Sequence, residues 1–179
     1  MKKKVSDWNV VLVVNNMKEI KLTQGKVALV DDEDYELVKQ YKWCAVFHRH
    51  TWYAYANTKQ IKGKKSQTIR MHRLILGLGF GNKLKSDHID GNGLDNKRQN
   101  LRICNNQQNC SNKKIYGKGT SKYKGVYWVK SLKKWRAMIG YAGKRIHLGV
   151  FSIEECAALA YDFAAMKYYR EFAHFNTWE

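Results

Sequence analysis

The apolar residues of this sequence come in short runs, each closed within a few positions by Asn, Gly or Lys, and that sets the scale of what the chain can fold into. Trp8 to Val14 ends at Asn15-Asn16, and Glu19 to Leu22 and Lys26 to Val30 are separated by Gly25. All three are rich in β-branched residues and read as strands of a small antiparallel sheet. Such runs build modest cores, and 179 residues leave room for one ordinary domain or two small ones. No apolar run approaches bilayer length, and Met1-Lys2-Lys3-Lys4 precedes no signal-peptide core, so no membrane segment is expected. With 44% hydrophobic residues and 13% aromatics, the chain still has enough apolar side chains to fold.

The pattern continues in alternating pieces. Asp31 to Tyr41 opens on acidic residues and spaces Tyr35, Val38 and Tyr41 as a short helix does. Trp43 to His48, Trp52 to Asn57 and Gln67 to Arg70 are strand-like, the last two separated by a basic loop, Lys59 to Lys65. Met71 to Leu78 reads as a helix before the glycine-broken stretch Gly77 to Gly81. After the glycine-containing break at 115–122, Lys124 to Val129, Trp135 to Tyr141 and Arg145 to Phe151 read as three strands with tight connections. A helix follows, with Ser152 and Glu155 spaced as a capping box and an apolar stripe of Ala157, Leu159, Ala160, Phe163, Ala164 and Tyr168 to cover the sheet.

Charge narrows the partner. The formal net charge is +18, which calls for a polyanion. Without a membrane segment, nucleic acid leads. Between Leu37 and Ile153 stand 25 Lys and Arg but only three acidic residues, Asp87, Asp90 and Asp95. Asp90-Gly91-Asn92-Gly93 is explained by a tight turn. Asp87 is not, because a carboxylate on a phosphate-binding face repels its ligand unless a cation lies between them. Cys44, Cys104, Cys110 and Cys156 show no C-x-x-C pair and no zinc spacing, and are read as reduced thiols of a cytoplasmic protein.

Hydrolysis of a phosphodiester needs a deprotonated water, neutralised phosphate charge and an in-line arrangement. A histidine suits the first task, and Mg²⁺ held by hard oxygens suits the second. Asp87, His88 and a downstream asparagine make up that minimal kit. The stretch runs Ser86-Asp87-His88-Ile89-Asp90-Gly91-Asn92, then Asp95 to Arg102 with Asn100-Leu101, then Asn105 to Asn112. It resembles the HNH endonucleases, particularly the homing nucleases of phages and introns, whose ββα-metal motif has the form D-H-I-x-G-x-x-x-x-N-x-x-x-N-L. The resemblance implies His88 as general base and Asp87 as first metal ligand. Asn100 would orient the loop and the base, and Asn109 would be the second ligand, with Asn112 as the alternative. It also implies one Mg²⁺, with Mn²⁺ able to substitute, and products ending in 5′-phosphate and 3′-hydroxyl. His72, in Met71-His72-Arg73-Leu74, matches a segment that often precedes this motif and is a candidate phosphate contact or packing residue. His48, His50 and His174 have no partner that the sequence identifies.

From Lys97 to Ile153 there are 14 basic residues and no acidic ones, and from Tyr123 they interleave with aromatics on strands. A sheet face mixing Lys, Arg, Tyr and Trp is what a β-ribbon reader inserts in a groove. Tyr123-Lys124-Gly125-Val126, Trp135-Arg136-Ala137, Gly143 to Gly149, Ala157 to Ala165 and Phe172 to Asn176 resemble the Apetala-2/ethylene-response-factor DNA-binding domain, over about Ser121 to Trp178. That resemblance implies DNA contacts from Lys124, Tyr127, Lys130, Lys134, Arg145 and His147, with Trp128 and Arg136 as neighbours. Lys124, Tyr127 and His147 stand where the plant proteins usually have Arg, Arg and Trp, so the plant target sequence is not carried over.

The resulting expectation is an α+β protein. Residues 1–114 form an HNH nuclease with a β-rich N-terminal extension, 115–122 a linker, and 123–179 a three-stranded antiparallel sheet packed on one helix. Double-stranded DNA is the expected partner, and no protein partner is predicted. A DNA-binding regulator built on a degenerate nuclease is the rival reading, although neither the Asp-His pair nor the asparagines are lost. RNA binding is weaker, since no base-stacking aromatic pattern is evident.

Overall fold

A computed structural model of the chain describes residues 17–58, 66–112 and 119–176. The strand expected at Trp8 to Val14, the basic loop Lys59 to Lys65 and the first half of the expected linker lie outside these residues. The fold is α+β, with four small antiparallel sheets and a few helices among the described residues. None of the described helices is long and apolar enough to cross a membrane.

The strands β1 (Met17–Lys21) and β2 (Val27–Asp31) form a hairpin that turns inward Ile20, Ala28 and Val30. Helix α1 (Asp32–Val38) starts with Asp32, Glu33 and Asp34, where carboxylates meet the positive end of the helix dipole. It ends before Tyr41, because Trp43 Nε1 donates to the Val38 carbonyl at 2.8 Å and satisfies a helix-end acceptor. A second antiparallel sheet, in the order β3-β4-β5, is built from β3 (Cys44–His48), β4 (Thr51–Asn57) and β5 (Thr68–Arg70). Helix α2 (Met71–Ile75) follows at once and is shorter than the expected Met71 to Leu78, ending at a turn in which Gly77 has φ +66.

Strand β6 (Lys85–His88) pairs with β7 (Leu101–Cys104), and helix α3 (Asn106–Ser111) follows. Asn105 and Gln108 make a reciprocal capping box that fixes where α3 begins. Leu101 joins Val30, Val38, Ala54, Ala56 and Met71 in one core, so the N-terminal strands and the motif share their packing. The loop between β6 and β7 is also tied to β2. The Leu29 amide donates to the Leu94 carbonyl at 2.9 Å, and the Asn96 amide donates to Leu29 at 2.8 Å.

The C-terminal sheet, ordered β10-β9-β8, contains β8 (Val126–Val129), β9 (Lys134–Tyr141) and β10 (Lys144–Phe151), covered on one face by α4 (Glu154–Tyr169). The buried stripe of α4 is Ala157, Ala158, Tyr161, Ala164 and Ala165, whereas Leu159 and Phe163, expected in it, are exposed. The small alanines let the helix lie close to the sheet, and Tyr161 takes the space over Gly125, where a Cβ would lie 2.0 Å from its ring. Ser152 does not cap this helix. Ile153 occupies the N-cap without a side-chain bond, and Glu154 and Glu155 face the first turn instead.

Candidate active site

Asp87 and His88 sit at the end of β6 and line a cleft of about 950 Å³ shared with Tyr53, His72, Asn109 and Asn112. Arg49, Arg70 and Lys85, all exposed, also line it. The structure therefore brings together the motif histidine, the motif aspartate, both candidate ligand asparagines and His72.

The His88 ring is buried and its Nε2 lies 3.3 Å from Asn96 Oδ1. Asn96 is itself fully buried, and its Nδ2 donates to the Leu94 carbonyl at 3.1 Å, which turns Oδ1 toward the histidine. An acceptor there requires the proton on Nε2, so the basic lone pair of neutral His88 is on Nδ1. Burial lowers the pKa of His88, against the raising effects of the Asn96 bond and of Asp90, Asp87 and Asp95, and so favours the proton-accepting form. The His72 ring meets His88 edge to face at 4.9 Å, and Tyr53 stands 5.8 Å from both. His72 is buried, and its Nδ1 has no hydrogen-bond partner among the described residues. Burial first, then the neighbouring His88, holds His72 well below the usual histidine range.

Asp87 faces Arg102 across the β6–β7 ladder. Arg102 Nε and Nη2 both bond Asp87 Oδ2, at 3.0 and 2.8 Å, leaving Oδ1 without a protein partner among the described residues. Asn100 pins the loop. Its Nδ2 donates to Asp90 Oδ1 and to the Asp95 carbonyl, both at 2.9 Å, and its Oδ1 accepts from the Asp90 amide at 3.1 Å. Asn112 Nδ2 donates to the His88 carbonyl at 3.0 Å, whereas the Asn109 side chain makes no such bond among the described residues.

Among the described residues, one group of three acidic side chains is close enough to hold a cation: Asp31, Glu33 and Asp34, with ligand atoms within 4.8 Å of one another. Its charge is met from within the chain. Arg98 lies 2.8 Å from Glu33 and 2.7 Å from Asp34, and its amide donates to Asp31 at 2.7 Å. This cluster fastens α1 to the turn before β7, away from the cleft-lining residues.

On the C-terminal sheet, alternation separates the named residues. Ala137 and Ile139 point at α4, so their neighbours Lys134 and Arg136 belong to the open face, with Tyr127 opposite Arg136. Arg145 and His147, exposed and alternating with inward Ile146 and Leu148, share it. Lys130 is exposed in the β8–β9 turn. Trp128 instead pairs with Trp135 at 5.0 Å on the helix side. Lys124 is partly buried, and its Nζ donates to the Ser111 carbonyl of α3 at 2.5 Å. Burial lowers its pKa to about 8.

The chain is 30% identical over 154 residues to an uncharacterized HNH endonuclease of Acanthamoeba polyphaga mimivirus, a match covering 84% of this chain and 74% of the viral one. The chain belongs to the HNH endonuclease family. No family model matches it. Protein 3.8 of Escherichia phage T7 is 35% identical over 75 residues, 42% of this chain, and the match spans 62% of the phage protein's length. An AP2-like ethylene-responsive transcription factor of Arabidopsis thaliana is 40% identical over 55 residues, 30% of this chain and 16% of its own. This HNH chain thus combines similarity to a viral endonuclease with a short segment similar to a plant transcription factor.

Sequence reasoning named Asp87, His88, Asn100 and Asn109 but gave no role to Asn96, Tyr53 or Arg102. Asn96 stood inside the motif, yet nothing in its spacing indicated that it faces His88. The opposition of Arg102 to Asp87 is a property of hairpin register, which the sequence does not state.

Proposed function

We propose that this chain is a site-specific, metal-dependent DNA endonuclease of the homing type, with His88 as its general base. One observation carries this reading: a buried imidazole whose Nε2 faces Asn96 Oδ1 stands beside a carboxylate with one oxygen unbonded among the described residues, in a cleft also lined by Arg49, Arg70 and Lys85. The order β6, β7, α3 supports a ββα-metal site, and the donors fit a hard cation, since Asp87 Oδ1 and the Asn109 side chain have no partner among the described residues. Asn112, whose Nδ2 donates to the His88 carbonyl, is the alternative ligand. Bound there, Mg²⁺ supplies the positive charge that a phosphate and a leaving oxygen need.

The chain's own residues supply the rest. His88 Nδ1 takes a proton from water, the resulting hydroxide attacks phosphorus, and the bond to the 3′ oxygen breaks. That oxygen leaves with the bonding electron pair and takes a proton from a solvent water to become the 3′-hydroxyl, while the phosphate stays on the 5′ end and His88 returns its proton to solvent. Asn100 keeps the Asp90 to Asp95 loop folded against the base, and Arg49, Arg70 and Lys85 hold phosphates at the rim. His72 packs the base against Tyr53 and, through its unpaired Nδ1, is a candidate phosphate contact. The open sheet face of Tyr127, Lys134, Arg136, Arg145 and His147, with Lys130 beside it, reads the duplex. The test is incubation with a pool of phage and plasmid DNA in Mg²⁺ or EDTA, followed by end mapping. Recurrent cuts with 5′-phosphates in Mg²⁺ alone are expected. Metal-independent binding without any cut would leave a DNA-binding regulator.

A further inference from the structure

The C-terminal module reaches back to the two elements that carry the proposed metal ligands. Arg102, opposite Asp87, spends Nε and Nη2 on Asp87 Oδ2, while its Nη1 donates to the carbonyl of Glu171. Its guanidinium lies 4.1 Å from the ring centre of Phe172, which is buried. Both ends of this bridge are largely closed to water, Arg102 being 13% exposed and Asp87 10%. Glu171 and Phe172 belong to the turn that ends α4. Lys124, at the start of the same module, bonds the carbonyl of Ser111 in α3, the helix that carries Asn109. The module itself is closed by Asn176, which accepts from the Lys124 amide at 2.6 Å and donates to Asp162 at 3.0 Å. Asp87 is thus oriented through one guanidinium whose other side is set by a different part of the chain.

We propose that Arg102 is a positioning residue through which the seat of the C-terminal module, by way of Glu171 and Phe172, sets the Asp87 carboxylate for metal binding. The proposal rests on the reading of Asp87 as a metal ligand. A planar fork bonded to one oxygen fixes the carboxylate's rotation and leaves the other oxygen to a cation. Disturbing such a partner of a ligand typically weakens metal binding 10- to 100-fold.

The test is Mn²⁺ binding to the full-length chain, followed by paramagnetic resonance of the free ion, with circular dichroism as the control for folding. Arg102→Gln, Arg102→Lys and Phe172→Leu should each raise the Mn²⁺ dissociation constant about tenfold. Arg102→Lys keeps the charge and loses only the fork, so it separates geometry from electrostatics. The Arg102→Gln/Phe172→Leu double variant should bind no more weakly than Arg102→Gln alone, because the ring acts through the guanidinium. Additive losses, unchanged binding in folded single variants, or tighter binding in Arg102→Gln would each overturn the proposal. Asp87→Asn in the same assay isolates the underlying assignment. If it leaves Mn²⁺ binding intact, the ligand reading fails; if it abolishes binding while the Arg102 and Phe172 variants bind normally, the bridge alone fails.

Discussion

Replacing Asn96 by Ala tests how the base is prepared. The side chain holds two hydrogen bonds, to the Leu94 carbonyl and to His88 Nε2, and is fully buried, while its backbone amide keeps its bond to Leu29. Losing two ordinary bonds costs about 1 kcal/mol each, and an abandoned buried N–H raises the total to about 2–4 kcal/mol. That is a substantial part of the roughly 5–15 kcal/mol that holds a domain together. The melting transition should therefore fall clearly while the chain still folds in the cold. The catalytic effect has its own direction. The Asn96 bond stabilises the imidazolium and raises the pKa of His88, so its loss moves the acid limb of the rate profile to lower pH. Asn96→Asp places a carboxylate there and moves the limb the other way. Without the acceptor, the proton is also free to sit on Nδ1, and the rate at neutral pH should fall by about one to two orders, less than the roughly 10²–10⁴ assigned to general-base catalysis. Single-turnover cleavage across pH 5 to 9 measures both effects. Acid limbs that coincide in wild type, Asn96→Ala and Asn96→Asp would refute the assignment of Nδ1 as the base.

Three further outcomes follow from the same geometry. Asn109→Ala should abolish the response of cleavage to Mg²⁺ while changing the melting temperature little, and Asn112→Ala should chiefly lower that temperature, because it loses the bond to the His88 carbonyl; the reverse pattern in a paired metal and heat titration would exchange their roles. Arg145→Ala should lower the slope of log affinity against log salt by about 0.9, the value of one phosphate contact, and Lys124→Ala, whose ammonium faces Ser111, should leave the slope unchanged. His72 and His88 have folded-state pKa values below the ordinary 6.5, so the unfolded chain binds protons first; their contribution to stability is intact above about pH 6.5 and is lost as pH falls below it, which urea denaturation at pH 7.5 and 5.5 would show.

Much of this was legible in the sequence because it is local. Alternation and turn residues gave the hairpins at Trp43 to Asn57 and Trp135 to Phe151, and the resemblance to the HNH motif singled out Asn100 and Asn109 alongside His88. What stayed hidden depends on contacts between distant elements. Arg102 meets Asp87 through strand register, and Phe172, in the turn after α4, meets Arg102 across a long stretch of sequence. The burial of α4 was misjudged in phase because the helix is apolar almost all round. Leu159 and Phe163 looked like core by size, whereas the smaller Ala158 and Ala165 are buried beside Tyr161. Trp128 and Lys124 were placed with the DNA contacts by analogy of position, and their orientations follow from pairing with Trp135 and Ser111.

The central claim is that the cleft around His88 hydrolyses DNA, and a single-turnover comparison of wild type with His88→Ala on an end-labelled duplex tests it most directly. Both proteins are brought to equal occupancy of the DNA, in Mg²⁺, so that binding drops out. The account predicts equal dissociation constants and cleavage slowed by about two to four orders of magnitude in the variant. Cleavage by His88→Ala at the wild-type rate would contradict it.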